Sequence, residues 1–427
     1  MRLRVPRSGS LSLRLSKVFL PIFGLVLALA GAAPAAAQML PDPSFGTAAG
    51  PSNSAILRCN GSDPVAAIVG CTAIIRSQPS RAQVRSAALI NRGRAHFALG
   101  QKDRATDDFD EAVRADPRNS RALANRGAFY QAQGDLNRAL EDYNSAAAAN
   151  PRDVEALNQR ANIHMLRGDY DKAVADYNRT ITINPRFPAG FVGRGEAYRI
   201  GGELDRAIRD FEQAIRLEPR LALAFDKRGL VHAERRDYAR AIQDFDRALE
   251  LDPALTATYA HRAVAYAGSG VADRALSDFE IALRANPADR PSYVGRGTLF
   301  LQQGQLDRAI ADYDRAIMLD GTFADAFYNR GTAHARGGDF THALADFDRA
   351  IALDPTSPGA FASRGLAYVK AGDYARAIPD LDRAVLVAPG DALILYNRGI
   401  AKRQTGDIAA GDADIANARM IDPDIER

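Results

Sequence analysis

The sequence predicts an all-α protein built from tandem helical hairpins, and three observations carry this prediction. From Ser86 onward a proline or a glycine marks a period of 34 residues that occurs ten times. A small residue precedes each marker by 24 positions, and an alanine precedes all but the last marker by 12 positions. Hairpins repeated at such a period bury their apolar faces against their neighbours and form an α-solenoid. The markers are Pro117, Pro151, Pro185, Pro219, Pro253, Pro287, Gly321, Pro355, Pro389 and Pro423.

Residues 324–357 show how each copy of the repeat forms two helices. The first half carries apolar and small residues at helical spacing and stops at Gly337 and Gly338, where glycine can take the left-handed conformation that ends a helix. Asp339 can then accept hydrogen bonds from the free N–H groups of the next helix, whose apolar stripe runs until Pro355. Each copy therefore contributes a first helix, a turn and a second helix.

The two helices of one copy are expected to cross closely. A small residue in the first helix and the alanine in the second let the backbones approach, and a large side chain fills the space beside the crossing. The small residues are Gly93, Gly127, Ala161, Gly195, Gly229, Ala263, Gly297, Gly331, Gly365 and Gly399. The large residues are Phe109, Tyr143, Tyr177, Phe211, Phe245, Phe279, Tyr313 and Phe347.

The order of small residue, aromatic residue, alanine, aromatic residue, alanine and proline resembles the tetratricopeptide repeat (TPR), over residues 86–427. The resemblance implies a right-handed α-solenoid of ten helix-turn-helix repeats, with a concave groove lined by the first helices. One position departs from the family pattern, because arginine stands where the family prefers leucine. These arginines are Arg92, Arg126, Arg160, Arg194, Arg228, Arg262, Arg296, Arg330, Arg364 and Arg398.

Each of these arginines has a candidate partner on the second helix, 16 residues later. The partners are Asp108, Asp142, Asp176, Asp210, Asp244, Asp278, Asp312, Asp346, Asp380 and Asp414. We call the ten pairs the charge ladder. The ladder either grips an acidic ligand or forms a salt bridge at each helix crossing. The second interpretation is favoured, because a partly desolvated guanidinium is best satisfied by a carboxylate that accepts two hydrogen bonds.

The N-terminus is predicted to be a targeting segment. Residues 1–37 hold five basic residues and no acidic one, followed by an apolar run and the small residues Ala35, Ala36 and Ala37. We expect a signal peptide cleaved after Ala37, with an uncleaved membrane anchor as the alternative, and a periplasmic or secreted mature protein. Residues 38–53 are rich in Pro, Gly, Ser and Ala and predict a disordered linker.

The rest of the chain is nearly neutral, because five of its 55 basic residues lie in that segment and 52 residues are acidic. Interspersed charges of both signs argue against nucleic acid as a partner and against binding to an anionic membrane. No second apolar run of membrane-spanning length follows the first. We therefore expect a partner that is a protein or a peptide, and no membrane span after cleavage.

Residues 54–85 are predicted to form a degenerate capping repeat ahead of the ten copies. Residues 63–79 align without gaps with the second half of a regular copy, and a short helix before them holds Cys59. The offsets place Cys59 and Cys71 on facing helices. Because the targeting segment directs the chain to an oxidising compartment, we expect a disulfide between them.

The sequence predicts no catalytic residue, no cofactor and no metal site. It contains no Gly-rich phosphate loop, no GxSxG and no HExxH pattern. Of its six histidines, four occupy a position where other copies have tyrosine, so we expect them to pack. Histidines of repeats that are not neighbours lie too far apart to share a metal. The histidines are His96, His164, His232, His261, His334 and His342.

Binding in the groove is the function that remains, and two columns of first-helix residues vary between copies. We expect these columns, two residues before and two residues after each ladder arginine, to be exposed. The central copies carry the most polar residues there and nearby. The predicted peptide- or protein-binding residues are Asn158, Asn162, Arg199, Asp226, Lys227 and Glu234.

Two functions are compatible with such a groove. The first is a non-catalytic periplasmic scaffold or adaptor that holds an extended peptide or a partner protein. The second is the scaffold subunit of an envelope complex that makes, modifies or exports polysaccharide.

Overall fold

The computed structural model describes residues 53–77 and 82–425, which form 22 helices and no strand. The predicted signal peptide and nearly all of the predicted linker lie outside the described residues. The helices are α1 (Asn53–Cys59), α2 (Pro64–Ser77), α3 (Ala82–Ala98), α4 (Lys102–Ala115), α5 (Ser120–Ala132), α6 (Leu136–Ala149), α7 (Val154–Leu166), α8 (Tyr170–Ile183), α9 (Pro188–Ile200), α10 (Leu204–Leu217), α11 (Ala222–Glu234), α12 (Tyr238–Leu251), α13 (Thr256–Gly268), α14 (Ala272–Ala285), α15 (Arg290–Gln302), α16 (Leu306–Leu319), α17 (Ala324–Arg336), α18 (Phe340–Leu353), α19 (Pro358–Lys370), α20 (Tyr374–Val387), α21 (Ala392–Gln404) and α22 (Ile408–Ile421).

The helices form two compact units, which are described separately. The N-terminal unit ends at Thr258 and the C-terminal unit begins at Tyr259. From α1 to α12 and from α14 to α22, each helix packs against the next one along the chain. Successive first helices also contact one another, so they form the inner layer of each stack. This all-helical stack of hairpins confirms the predicted fold class.

The helix crossings depend on the small residues that the sequence singles out. A Cβ atom added at Gly229 would lie 2.6 Å from Cε1 of Phe245, and one added at Gly331 would lie 2.9 Å from Cε1 of Phe347. Both rings are almost fully buried. Because each ring lies directly on the first-helix backbone, the crossing leaves little room for a larger residue at these positions.

The turns between the two helices of a copy have one recurring geometry. Gly338 has φ +82°, whereas Gly337 is right-handed, so only the second glycine requires conformational freedom. Asp339 caps α18 by accepting a hydrogen bond from the backbone N–H of His342, as predicted. Arg236 takes the glycine position of its own turn with φ +59°.

The degenerate unit consists of the short helix α1 packed on α2. Cys59 and Cys71 form a disulfide with a Cα–Cα distance of 4.7 Å, as the sequence predicts. The two helices approach closely at Gly70, where an added Cβ atom would lie 2.6 Å from the carbonyl oxygen of Ala55. This contact explains why glycine stands at that point of the apolar face of α2.

Within the described residues, no helix combines the length and the apolar character needed to cross a bilayer. The helix α20 runs from Tyr374 to Val387 with Pro379 inside it. This helix packs on α19 and α21, as its counterparts in the same unit pack on their neighbours.

Candidate functional site

The first-helix face of the N-terminal unit is the candidate binding surface. The sequence predicts that two variable columns on this face are exposed, and that prediction is wrong. Ile90, Val192 and Asp226 are at most 8% exposed, and no position in either column is exposed within the described residues. Successive first helices contact one another, so these side chains lie in the crevices between them.

Four charged side chains on α9 and α11 form one ion-pair network, which we call the groove network. Both Nε and Nη2 of Arg199 donate to the Glu196 carboxylate, at 2.8 and 2.9 Å, and Nη1 donates to Glu234. The Nζ atom of Lys227 lies 3.6 Å from Oε1 of Glu196. The four side chains are between 13% and 21% exposed, so the network is partly desolvated but open to solvent.

The two carboxylates of the groove network differ electrostatically. Burial, the largest influence, acts to raise the pKa of Glu196, but Lys227 and Arg199 outweigh it and the pKa falls below its ordinary value. Burial raises the pKa of Glu234, and Arg199 offsets this only in part. An additional cation or hydrogen-bond donor would therefore stabilise the charged form of Glu234 more than that of Glu196.

Of the six residues predicted to bind a partner, the structure joins Arg199 to Lys227 through Glu196, and Arg199 pairs directly with Glu234. Glu196 lies in one of the two variable columns, but only the contact with the next first helix shows its role at the centre of the network.

The other three predicted residues are engaged differently. Asp226 is 4% exposed and accepts a hydrogen bond from Oγ1 of Thr258 at 2.9 Å. Asn162 accepts from the Tyr177 hydroxyl at 2.6 Å. Asn158 is 6% exposed, and its Oδ1 has no hydrogen-bond partner among the described residues. Asp226 is therefore almost fully enclosed by the N-terminal unit.

Arg94 lies on α3 in the same column as Glu196. Its Nε is buried and has no hydrogen-bond partner among the described residues. Burial lowers the pKa of Arg94. A guanidinium in this environment gains from an added carboxylate, because the carboxylate restores the interactions lost on desolvation.

The charge ladder is structural, as the favoured interpretation predicts. In each copy Nε and Nη2 of the arginine donate to the two carboxylate oxygens of its aspartate, at 2.6 to 2.9 Å. The aspartates are buried. Both oxygens are therefore occupied, and the ladder leaves little capacity for a ligand.

Several ladder arginines make a third bond that the sequence analysis missed. The Nη1 atom donates to an acidic or amide side chain on the second helix of the preceding copy, 16 residues earlier. These acceptors are Asp110, Asn144, Asn178, Asp314, Asp348 and Asp382. The sequence contains a pattern that predicts this third bond, because an acidic or amide residue recurs at this position with the same 34-residue period.

The turns carry a second recurring arrangement, which we call the turn stack. The arginine three residues after the cap of the second helix lies over an aromatic ring near the end of the first helix. Arg206 lies 3.9 Å from the ring centroid of Tyr198 and also pairs with Glu203. Equivalent stacks join Arg138 with Tyr130, Arg274 with Tyr266, Arg308 with Phe300 and Arg376 with Tyr368.

A depression of about 220 Å³ adjoins one turn stack in the N-terminal unit. Its lining consists of Asn178, Arg194, Tyr198, Arg206, Arg209 and Asp210. Arg194 is already bonded to Asp210 and Asn178, and Arg206 is bonded to Tyr198. Most of the hydrogen-bonding capacity of its walls is thus used within the protein.

Comparison with solved structures places this geometry among known helical stacks. The Cut9–Hcn1 structure from the APC/C hetero-tetramer is similar, with a TM-score of 0.55 and 16% identity, over 87% of this chain and 81% of that one. A tetratricopeptide repeat protein from Parabacteroides merdae has a TM-score of 0.48 and 22% identity, over 58% of this chain and 99% of that one. The likeness to Cut9–Hcn1 shows the shared solenoid fold alone.

YrrB, described as a TPR protein with an unusual peptide-binding site, has a TM-score of 0.35 and 23% identity, over 43% of this chain and 95% of that one. No curated protein matches the chain by sequence.

Family models give the classification. Models described as tetratricopeptide repeat match residues 86–119, 109–141, 154–187, 222–255, 262–322, 294–358 and 363–411, and one described as TPR repeat matches residues 195–235. Together the matches cover well over half of the chain and follow its 34-residue period. The chain belongs to the tetratricopeptide repeat family.

Proposed function

We propose that this protein is a non-catalytic scaffold that binds an extended segment of a partner protein along the first-helix face of its N-terminal unit. TPR proteins generally mediate interactions between proteins, and the groove network is the observation that supports this site. A partly desolvated cluster of both charge signs can bind peptide side chains of either sign, and its residues are already held in place by one another.

Two unsatisfied polar groups elsewhere on the first-helix face, on α3 and α7, favour a partner with acidic and amide character. Arg94 has an unsatisfied Nε, and Asn158 has an unsatisfied Oδ1, among the described residues. A carboxylate of the partner would satisfy the first, and a backbone N–H would satisfy the second. An extended chain offers both groups, whereas a helical partner keeps its N–H groups for itself.

We further propose that the protein works in the periplasm. Two observations support this location: the basic and apolar segment at residues 1–37 and the disulfide between Cys59 and Cys71. Disulfides persist in oxidising compartments and are rare in the cytosol of most organisms.

Site-specific photocrosslinking tests the proposed surface. A photoreactive phenylalanine analogue replaces Lys227 in the groove network or, as the matched control, Arg247 on α12, whose side chain is 48% exposed and pairs with Glu250. We expect the Lys227 position to give a discrete protein adduct that mass spectrometry identifies, and the Arg247 position to give none.

Three results would count against the proposal. Adducts from the second-helix position alone would move binding to the other layer of the stack. Co-purifying glycan without a protein adduct would favour the polysaccharide scaffold. In a cell-fractionation experiment, a chain that keeps residues 1–37 and stays in the cytosol would contradict the periplasmic location. This result is independent of the crosslinking.

A further inference from the structure

The turn between α17 and α18 holds two histidines and an aspartate within reach of one another. Oδ2 of Asp339 lies 2.6 Å from Nδ1 of His342 and 3.8 Å from Nδ1 of His334. The two imidazole rings stack, with centroids 5.2 Å apart and planes inclined by 28°. We call these residues the turn trio. One ligand atom from each lies within 4.8 Å of the other two.

The turn trio replaces the turn stack that other copies use at this place. His334 occupies the aromatic position, Asp339 the cap, and His342 the position of the stacked arginine. The equivalents of His342 are Arg104, Arg138, Lys172, Arg206, Arg240, Arg274, Arg308 and Arg376, followed by Ala410 in the last copy. Only here does an imidazole replace the lysine or arginine beside the cap aspartate, which changes the chemistry of the turn.

We propose that the turn trio binds a divalent transition-metal ion of the zinc type. Two imidazole nitrogens and one carboxylate oxygen are ligands that Zn²⁺ accepts in proteins, and a permanent cation at position 342 would repel the ion. Three protein ligands leave one coordination position for water or for a group from a partner. His334 and His342 belong to one repeat, so the long distance between histidines of different repeats does not separate them.

The local structure prepares these ligands. Oδ1 of Asp339 accepts a hydrogen bond from the backbone N–H of His342 at 3.1 Å, so the cap fixes the carboxylate and leaves Oδ2 toward the rings. The side chains of Asp339 and His342 are 43% and 69% exposed, so an ion from solvent can reach them. The backbone of this turn is the one that every copy adopts, so binding needs no refolding.

The chain contains a natural counterpart without the second histidine. Nδ1 of His164 lies 3.4 Å from Oδ2 of Asp169, which also pairs with Lys172 at 3.2 Å. His342→Lys converts the turn trio into this arrangement, and Lys172→His converts this arrangement into a turn trio. Both variants leave the backbone turn and the cap aspartate unchanged, and each exchanges only a histidine and a lysine.

Calorimetric titration with ZnCl₂ of the full chain, purified without a histidine tag, tests the proposal. We expect the unmodified chain to bind one Zn²⁺ and the His342→Lys variant to bind it at least about tenfold more weakly, because one ligand is lost. We expect the Lys172→His variant to bind two ions. Absorption of bound Co²⁺ in the visible range provides an independent signature of the coordinated ion.

Unchanged zinc binding by the His342→Lys variant, or no zinc binding by the unmodified chain, would overturn the proposal. A Lys172→His variant that binds only one ion would contradict the claim that this geometry is sufficient. Circular dichroism distinguishes these results from misfolding, since lysine and arginine already occupy this position in other copies. The outcome is independent of the groove, because the turn trio shares no residue with the groove network.

Discussion

At the scale of single residues, the geometry of the ladder arginine explains why all ten copies carry arginine where the family pattern prefers leucine. Arginine provides a planar fork whose Nε and Nη2 match both oxygens of a carboxylate, and its Nη1 remains available for a third acceptor. In Arg364 that third bond reaches Asp348 of the preceding copy at 2.7 Å. A leucine would fill a similar volume at the crossing but would form no bond to the second helix or to the preceding copy.

The pair formed by Arg228 and Asp244 provides the first prediction. Replacing Arg228 by alanine leaves the Asp244 carboxylate, which is 8% exposed, without either of its two hydrogen-bond donors. We expect a loss of about 1–3 kcal/mol in the free energy of unfolding. Arg240, which is 70% exposed, is the matched control, and its replacement should cost about 0.5 kcal/mol or less. Thermal melts that show equal effects at both positions would mean that the ladder is solvated.

The turn at Arg236 provides the second prediction. Arg236 has φ +59°, where the other turns have glycine, and a left-handed conformation costs an L-residue roughly 1–2 kcal/mol. Arg236→Gly should therefore raise stability by about 0.5–1 kcal/mol after the greater entropy of unfolded glycine is subtracted. The reverse change, Gly202→Arg at φ +77°, should lower stability by a similar amount. Chemical denaturation should show opposite changes in the free energy of unfolding for the two variants. Changes of the same sign, or no change, would contradict the role of backbone strain.

At the scale of helices and turns, local signals determine where each element begins and ends. The second helices from α4 to α22 begin at intervals of 34 residues, because the cap and the positive-φ residue recur at that interval. The pair α1 and α2 is the exception. Its short first helix buries little surface, and the disulfide adds a covalent restraint that the other pairs do not have within the described residues.

The third prediction concerns this disulfide. The bond closes a loop between residues 12 positions apart, which by the chain-entropy estimate is worth about 2–3 kcal/mol. Titration of the denatured, unreduced protein should detect no free thiol. Reduction should increase amide hydrogen exchange in α1 and α2 and leave α7 to α10 unchanged. Two reactive thiols, or exchange that is unaffected by reduction, would contradict the stabilising role of the bond.

At the scale of the whole molecule, each copy contacts only nearby copies, so stability is expected to be local. The contacts within each unit join a hairpin to its immediate neighbours. A perturbation in one copy should therefore spread over a short distance along the stack. This property separates a solenoid from a globular domain, in which one core couples all elements.

The fourth prediction tests that range. Gly229→Val forces a branched side chain against Phe245, since a Cβ atom alone would lie 2.6 Å from the ring. We expect a cost of about 1–3 kcal/mol, typical of overpacking. Hydrogen exchange should increase in α10, α11 and α12 and stay unchanged in α3 to α6. A uniform increase through the N-terminal unit would show that the unit unfolds as one cooperative block.

The sequence by itself determined the features that lie within one copy. The helix boundaries, the crossing of Gly229 with Phe245 and the bidentate pairing of the ladder all follow from residues at most one repeat apart, and ten copies of the pattern removed ambiguity. The disulfide followed in the same way, because its cysteines lie on facing helices of one hairpin.

Only the tertiary structure decided the features that depend on contact between copies or on side-chain direction at a turn. No position of the variable columns is exposed among the described residues, because neighbouring first helices touch, and Glu196 joins Arg199 to Lys227 across that contact. His334 and His342 meet because the left-handed turn folds α18 back beside the end of α17. A repeat pattern specifies the packing that every copy shares, whereas a binding site arises where individual copies differ, and its geometry exists only after the copies stack.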